Sequence, residues 1–298
     1  MIDLPNEFIH NVISAHGEAG KKWLGELDGV VAYCKHKWYF ELLPAKKLSF
    51  NFVATVVFED SSKAVLKLGL PGKEFQSEMA ALAAYDGNSF CKLLDAEAEK
   101  GIMLLECVEP GEHLNTVQND EAATVIAAGL IKNMIEVKPL SQYPFQTAVD
   151  LYNSLLALRK RFGNKDIPGY LFDNAISAWR SIQSAPQKQR LLHGDLHKEN
   201  VLSAENGAWK IIDPKGVISE TGYELFPFLV NNHHNKDVVA TINDRIEIFS
   251  DILNISRKRI IQWAIFRSVL SAYWQMEDNL PINEDDLLMC EVFNHLNQ

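Results

Sequence analysis

Residues 193–200 read His193-Gly194-Asp195-Leu196-His197-Lys198-Glu199-Asn200, and thirteen residues beyond Asn200 stands Asp213, closing the apolar run Trp209-Lys210-Ile211-Ile212. A carboxylate, an amide five residues on, and a second carboxylate after a strand-like run suit one kind of chemistry. Phosphoryl transfer from a nucleotide needs an acidic side chain to orient or deprotonate the attacking hydroxyl. It also needs hard oxygen ligands, of the Asn and Asp type, to hold Mg²⁺ against phosphate oxygens. Asp195 is therefore the expected catalytic base, with Asn200 and Asp213 the expected metal ligands. Each taken alone reads as a turn or cap residue; their order and spacing together argue against that. His193 and His197 flank Asp195 in a loop with no third ligand in view. They are expected to hold the loop through hydrogen bonds to backbone carbonyls.

The order Asp…Asn…Asp resembles the catalytic loop and metal-binding Asp of the kinase fold. The spelling His-Gly-Asp-Leu-His resembles its small-molecule branch, the aminoglycoside phosphotransferases. Asp213-Pro214-Lys215-Gly216 is similar to the corresponding string of the streptomycin 6-phosphotransferase and hydroxyurea-kinase subgroup. Pro214 stands where protein kinases carry a Phe and cannot make that residue's packing switch, which argues against a protein kinase. The resemblance implies a bilobal, protein-kinase-like α+β fold. Its small antiparallel-sheet lobe, preceded by helices, would span 1–108, and a mostly helical catalytic and acceptor-binding lobe 109–298. It further implies ATP and Mg²⁺ as cofactors, and transfer of the γ-phosphate to a hydroxyl of an aminoglycoside-like or amino-sugar acceptor.

Several residues take expected roles from this resemblance. Lys67, in the strand-like Ala64-Val65-Leu66-Lys67-Leu68, matches the family's nucleotide-phosphate lysine. Glu78, eleven residues later in a helical stretch, matches its carboxylate partner. Glu74, one turn earlier, competes for that place, but Met79, Leu82 and Ala83 set Glu78 beside the apolar stripe. Leu104–Gly111 resembles the hinge between lobes, where backbone groups of Glu106 and Val108 would meet adenine. Lys215 is either a phosphate or acceptor contact or a solvated turn lysine. Between the first two strands, Lys46-Lys47-Leu48-Ser49-Phe50-Asn51-Phe52 holds no glycine, where kinases commonly place a glycine-rich turn whose N–H groups approach phosphates. Ser49 and Asn51 could supply donors instead. The missing glycines keep open a second reading, a nucleotide-binding pseudokinase without turnover. Tyr223 and Glu224 are expected to tie the loop after the metal motif to the C-terminal core. Glu277, Asp278, Glu284, Asp285 and Asp286 either bind ammonium groups or face solvent.

Periodicity supplies the coarse organisation. Residues 1–40 read as helical, then Phe52–Phe58 and Ala64–Leu68 as strands. A helix over Lys73–Tyr85 is closed by Asp86-Gly87, and two further strands lie at Lys92–Leu94 and Gly101–Leu105. Helices follow over Asp120–Val137, Ala148–Phe162 and Tyr170–Ser184. Short extended pieces surround the catalytic segment, and two or three helices finish the chain, the clearest over Ser256–Met276. Trp263, Phe266, Leu270, Tyr273 and Trp274 recur there at helical spacing, as core residues do.

Composition sets the outer bounds. The 298 residues carry a net charge of −10, which argues against nucleic acid as a partner and suits either a cationic acceptor or plain solubility. The four cysteines form no C-x-x-C pair, as expected of reduced thiols. No signal peptide and no membrane span is indicated, so the expected location is cytoplasmic.

Overall fold

Alternation along Phe52–Phe58 sends Phe52, Ala54 and Val56 to one face and Val53 and Thr55 to the other, and this division organises the first third of the molecule. The computed structural model describes residues 2–45, 48–139, 143–164, 166–231, 237–278, 281–282 and 284–297. Helix α1 (Asn6–Trp38) opens the chain and kinks at Gly17, whose φ of 55° suits glycine. Beyond the kink, Trp23, Leu27, Val31 and Cys34 form its buried stripe. Strands β1 (Phe40–Leu42), β2 (Phe52–Phe58) and β3 (Lys63–Leu68), helix α2 (Lys73–Tyr85), and strands β4 (Leu93–Glu97) and β5 (Ile102–Glu106) follow. The five strands form one antiparallel sheet in the order β1-β2-β3-β5-β4. On one face Phe52, Ala54, Val56, Ala64, Leu66, Leu68, Ile102 and Leu104 pack with α1 into a core of their own. The other face, carrying Val65, Met103 and Leu105, belongs to the larger core. Lys67 pairs in register with Val53 and Met103, so it lies on that second face.

The rest of the chain is mainly helical: α3 (Asp120–Met134), a two-residue strand β6 (Gln146–Thr147), α4 (Ala148–Phe162) and α5 (Gly169–Ser184). Thr147 and Asp150 open α4 with a reciprocal capping box at its N-terminus. Strands β7 (Arg190–Leu192), β8 (Val201–Ser203), β9 (Trp209–Ile211) and β10 (Val217–Ser219) come next. They build a β6-β10-β7 sheet and a β8–β9 hairpin. His193–Asn200 thus joins β7 to β8, and Asp213–Gly216 joins β9 to β10. Helices α6 (Thr221–Val230), α7 (Val238–Leu253), α8 (Arg257–Glu277) and α9 (Glu284–Leu296) complete the fold. Helix α8 is buried nearly all round, with Arg259, Gln262 and Arg267 among its buried residues, and packs against α4, α5, α6, α7 and α9. Among the described residues no helix is long and apolar enough to cross a membrane.

Three sequence expectations need correction. Helix α3 ends at Met134 rather than Val137. Tyr223 and Glu224 sit in helix α6, not in a loop, because the helix runs through Pro227, a residue that reads as a breaker. Ala83 is exposed and Met79 only half-buried, so Phe75, Ala81, Leu82 and Tyr85 make the stripe that Glu78 joins.

Candidate active site

The His193–Asn200 loop is fixed by its backbone and by buried neighbours, which leaves the Asp195 carboxylate free. Gly194 takes φ +88°, and a Cβ there would meet Val217 Cγ2 at 2.8 Å, so glycine is required on both counts. The N–H groups of Gly194 and Leu196 donate to the Glu224 carboxylate at 3.0 and 3.3 Å. The Arg267 guanidinium donates to the Gly194 carbonyl at 3.3 Å and to the Tyr223 hydroxyl. The His193 carbonyl accepts from the N–H groups of Lys215 and Gly216, joining this loop to the Asp213 loop. His193 itself is fully buried, with Nε2 on the Ile212 carbonyl at 2.8 Å and Nδ1 accepting from Asp195 N–H at 3.1 Å. Burial pushes its pKa down to about 4, so it acts as a neutral brace, as expected. His197 departs from expectation. It uses side chains, not carbonyls: Nδ1 meets the Glu199 carboxylate at 2.8 Å and Nε2 accepts from Asn200 Nδ2 at 3.2 Å.

Asn200 also donates through Nδ2 to the Asp195 carbonyl at 3.1 Å. Among the described residues its Oδ1 has no partner, so a hard acceptor remains available there. The Asn200 carbonyl accepts from Ile212 N–H at 2.9 Å, which sets Asp213 one residue from this contact. Asp213 adopts φ 60°, and its carboxylate reaches Lys67 on one oxygen and Lys215 on the other, the latter at 3.4 Å. Lys67 Nζ also donates to Glu78 at 2.6 Å. Glu74 is exposed and leaves the pair to Glu78, as the stripe implied.

The electrostatics of this cluster follow from burial and pairing. Burial works against the Lys67 ammonium, but Glu78 and then Asp213 outweigh it and keep it protonated. Burial alone would raise the Asp213 carboxyl; Lys67 and Lys215 instead hold it well below the usual carboxylate range. Burial wins at Glu78, whose pKa is raised. Asn200 and Asp213 offer one neutral and one anionic oxygen, a set that fits Mg²⁺, which usually takes one or two carboxylates and completes its shell with phosphates and water. Among the described residues no cluster of three His, Cys, Asp or Glu side chains forms a metal cage.

The remaining expected residues fall around this cluster. Phe52 pairs with Leu68, so Asn51 stands opposite Gly69, on the same sheet face as Lys67. Its carboxamide oxygen would lie 2.3 Å from a Cβ on Gly69. Ser49 is exposed, and Lys46 and Lys47 lie outside the described residues. Lys215 is exposed beside Asp213. At the expected hinge, Glu106 pairs with Ala64 at the end of β5, and its N–H donates to the Lys92 carbonyl at 2.9 Å. Its carboxylate accepts from Lys92 N–H at 2.9 Å and from Lys210 Nζ at 2.5 Å, clamping β5 to the β8–β9 hairpin. Val108 is half-buried and packs against the larger core. Glu277 and Asp278 end α8, while Glu284, Asp285 and Asp286 form the first turn of α9, where the helix dipole favours acidic residues.

Some supports were not visible in the sequence. Ser77 Oγ on α2 donates to the Lys215 carbonyl at 2.6 Å, binding that helix to the Asp213 loop. Lys198 is buried and donates to Asp120 at 2.5 Å, and Arg245 donates to the same carboxylate at 2.7 Å. Glu220, in turn, receives Arg259 and Trp263 Nε1 beneath α8. Nothing in local sequence signals such pairs, since the partners lie far apart along the chain.

Glu224 gives this scaffold a pH dependence. Burial lifts its carboxyl from 4.5 to about 7. A folded-state value above the unfolded one means that its stabilising effect is full below 4.5 and is lost as pH rises through about 7. Glu224→Gln, which cannot ionise, should therefore show a shallower loss of urea stability across that window than the wild type. Parallel slopes for the two proteins would contradict this.

The profile of the family described as aminoglycoside/hydroxyurea antibiotic resistance kinase matches residues 44–279. A hydroxyurea phosphotransferase of Kitasatospora aureofaciens is 30% identical over 98% of this chain and 86% of its own length. A streptomycin 6-kinase of Streptomyces glaucescens is 27% identical over 93% of this chain and 92% of its own. Among solved structures, the choline kinase LicA of Streptococcus pneumoniae superposes with a TM-score of 0.67 at 13% identity, covering 91% of this chain and 98% of that one. That likeness shows the protein-kinase-like fold.

Proposed function

This chain belongs to the aminoglycoside/hydroxyurea antibiotic resistance kinase family, and from that premise we propose that it transfers the γ-phosphate of ATP to a hydroxyl of a small aminoglycoside-like acceptor. The observation that carries this reading is the buried linkage of Lys67 to both Glu78 and Asp213, beside a loop whose Asp195 carboxylate is left unengaged by the scaffold. The nucleotide is assigned to the cleft between segments 1–108 and 109–298. Lys67, oriented by Glu78, binds its phosphates, and the backbone of Glu106 and Val108 meets the base. Asn51, which stands on the same sheet face as Lys67, and the exposed Ser49 would offer donors to the phosphates in place of the absent glycines. Asp195 orients the acceptor hydroxyl and takes its proton late in the transfer.

Asn200 and Asp213 would hold Mg²⁺, which supplies charge neutralisation at the phosphates when bound. Lys215, exposed and next to Asp213, is placed to reach a phosphate or the acceptor. Catalysis by this arrangement is positioning and charge stabilisation, with no covalent enzyme intermediate. The named activities of the relatives suggest streptomycin-like and hydroxyurea-like acceptors. A cationic acceptor would also suit the net charge of −10.

Coupled ADP release with Mg-ATP, across streptomycin, other aminoglycosides, amino sugars, polyols and hydroxyurea, tests the reading. Acceptor-stimulated turnover supports it; ATP binding with no stimulation by any acceptor favours a pseudokinase. Asp213→Ala should remove the Mg²⁺ dependence of ATP binding, measured by calorimetry with and without chelator. Retained Mg²⁺ dependence would take Asp213 out of the metal site.

A further inference from the structure

We propose that the cavity between α5, α8 and α9 binds a small neutral polyhydroxy molecule, a free sugar or polyol. The cavity measures about 280 Å³ and shares no lining residue with the candidate active site. Drug-sized ligand pockets span about 300–1,000 Å³, so a molecule of single-ring size is the fitting occupant. Gln262 of α8 carries the argument. It is only 8% exposed, it lines the cavity, and its carboxamide has no hydrogen-bond partner among the described residues. Buried amides are ordinarily satisfied, and Gln262 sits in a helix whose neighbouring positions are apolar. Its amide atoms open into the cavity, where water or a ligand from outside the chain can meet them.

The rim has matching chemistry. Asn174, Ser177 and Ser181 recur on one face of α5, and the hydroxyls of both serines are likewise without partners among the described residues. Asn174 Nδ2 donates to Asn294 Oδ1 at 3.0 Å, and Asn294 Nδ2 to the Cys290 carbonyl at 2.8 Å. These bonds fix two amides at the rim and leave the Asn174 oxygen open. Among the described residues no Asp, Glu, Lys, Arg or His lines the cavity, so those residues offer no charged side chain to hold a cation or an anion. Among the described residues no aromatic ring lines it either, so they provide no stacking platform for a base. Amides and hydroxyls both donate and accept, as the hydroxyls of a polyol do. Ala178 and Ile265 supply an aliphatic floor for its C–H face.

Saturation-transfer NMR on the full chain, with D-glucose, D-galactose and myo-inositol as probes, tests this. Transfer to ring protons of at least one probe is expected, and it should be lost in both Gln262→Leu and Ser181→Trp. Ser181 is exposed, so its tryptophan fills the mouth without disturbing the core, and the test stands even if Gln262→Leu folds poorly. Transfer should persist in Asp195→Asn and under saturating Mg-ATP, because the acceptor site is elsewhere. Absence of transfer from all three probes, or transfer surviving in Ser181→Trp, would overturn the proposal and leave a water-filled cavity.

Discussion

Asp195→Asn is expected to lower acceptor-dependent turnover by on the order of 10²–10⁴-fold, the range set by a positioned base, while ATP affinity and thermal stability stay at wild-type values. The separation is expected because the side chain carries none of the loop's structure. The scaffold uses Asp195 N–H, on His193, and Asp195 C=O, on Asn200, and both are kept by asparagine. Its carboxylate makes no side-chain hydrogen bond among the described residues, lies 4.0 Å from His197 Nε2, feels the charge of Lys215, and is 43% exposed. Asparagine matches its size and retains an acceptor oxygen, so the loss isolates the ability to orient and deprotonate the acceptor. Turnover is read by coupled ADP release, ATP affinity by calorimetry, and stability by thermal melt. Wild-type turnover in this variant would end the mechanism proposed here. A fall in ATP affinity as large as the fall in turnover would instead make Asp195 part of the nucleotide site.

Legibility from sequence divides along a physical line. Asp195, Asn200 and Asp213 stood out because the chemistry fixes residue type and spacing together. Lys67 and Glu78 came from the family resemblance, and the apolar stripe of the helix only decided between Glu78 and Glu74. What holds these residues in place was not readable. Lys198 meets Asp120 from 78 positions away, Arg245 the same carboxylate from 125, and Arg259 meets Glu220 from 39. Only tertiary packing brings those charges together, and a buried Lys or Arg looks like a surface one in a string of letters. Helix α6 was hidden for a local reason: Gly222 and Pro227 both lie inside it. The structure accommodates Gly222 because a Cβ there would come within 2.5 Å of Trp263 Cδ1, a constraint invisible before α8 is in place. The cavity at Gln262 belongs to the same class, since the polar face of α5 gains its meaning only when α9 closes over it.

Lys67→Met should be the most damaging single change to the fold itself. It leaves Glu78, buried and 6% exposed, and Asp213 without their shared cation, and breaking a buried pair in this way typically costs about 3–5 kcal/mol. The double variant Lys67→Met/Glu78→Leu should recover a large part of that loss, because replacing a buried pair by apolar groups is often near neutral. Turnover should stay lost in both, since neither retains a cation for the nucleotide phosphates. The pH response gives a second, independent reading. Burial already raises the Glu78 pKa above its ordinary 4.5, with Lys67 opposing, and without Lys67 it should rise further. A folded-state value raised above the unfolded one stabilises fully below 4.5 and loses effect as pH climbs through the folded value. Relative to wild type, Lys67→Met should therefore regain urea stability on acidification toward 4.5, and the double variant should not. Equal stability of Lys67→Met and wild type at neutral pH would mean that the two carboxylates are solvated in solution. The buried linkage on which the nucleotide assignment rests would then have to be abandoned.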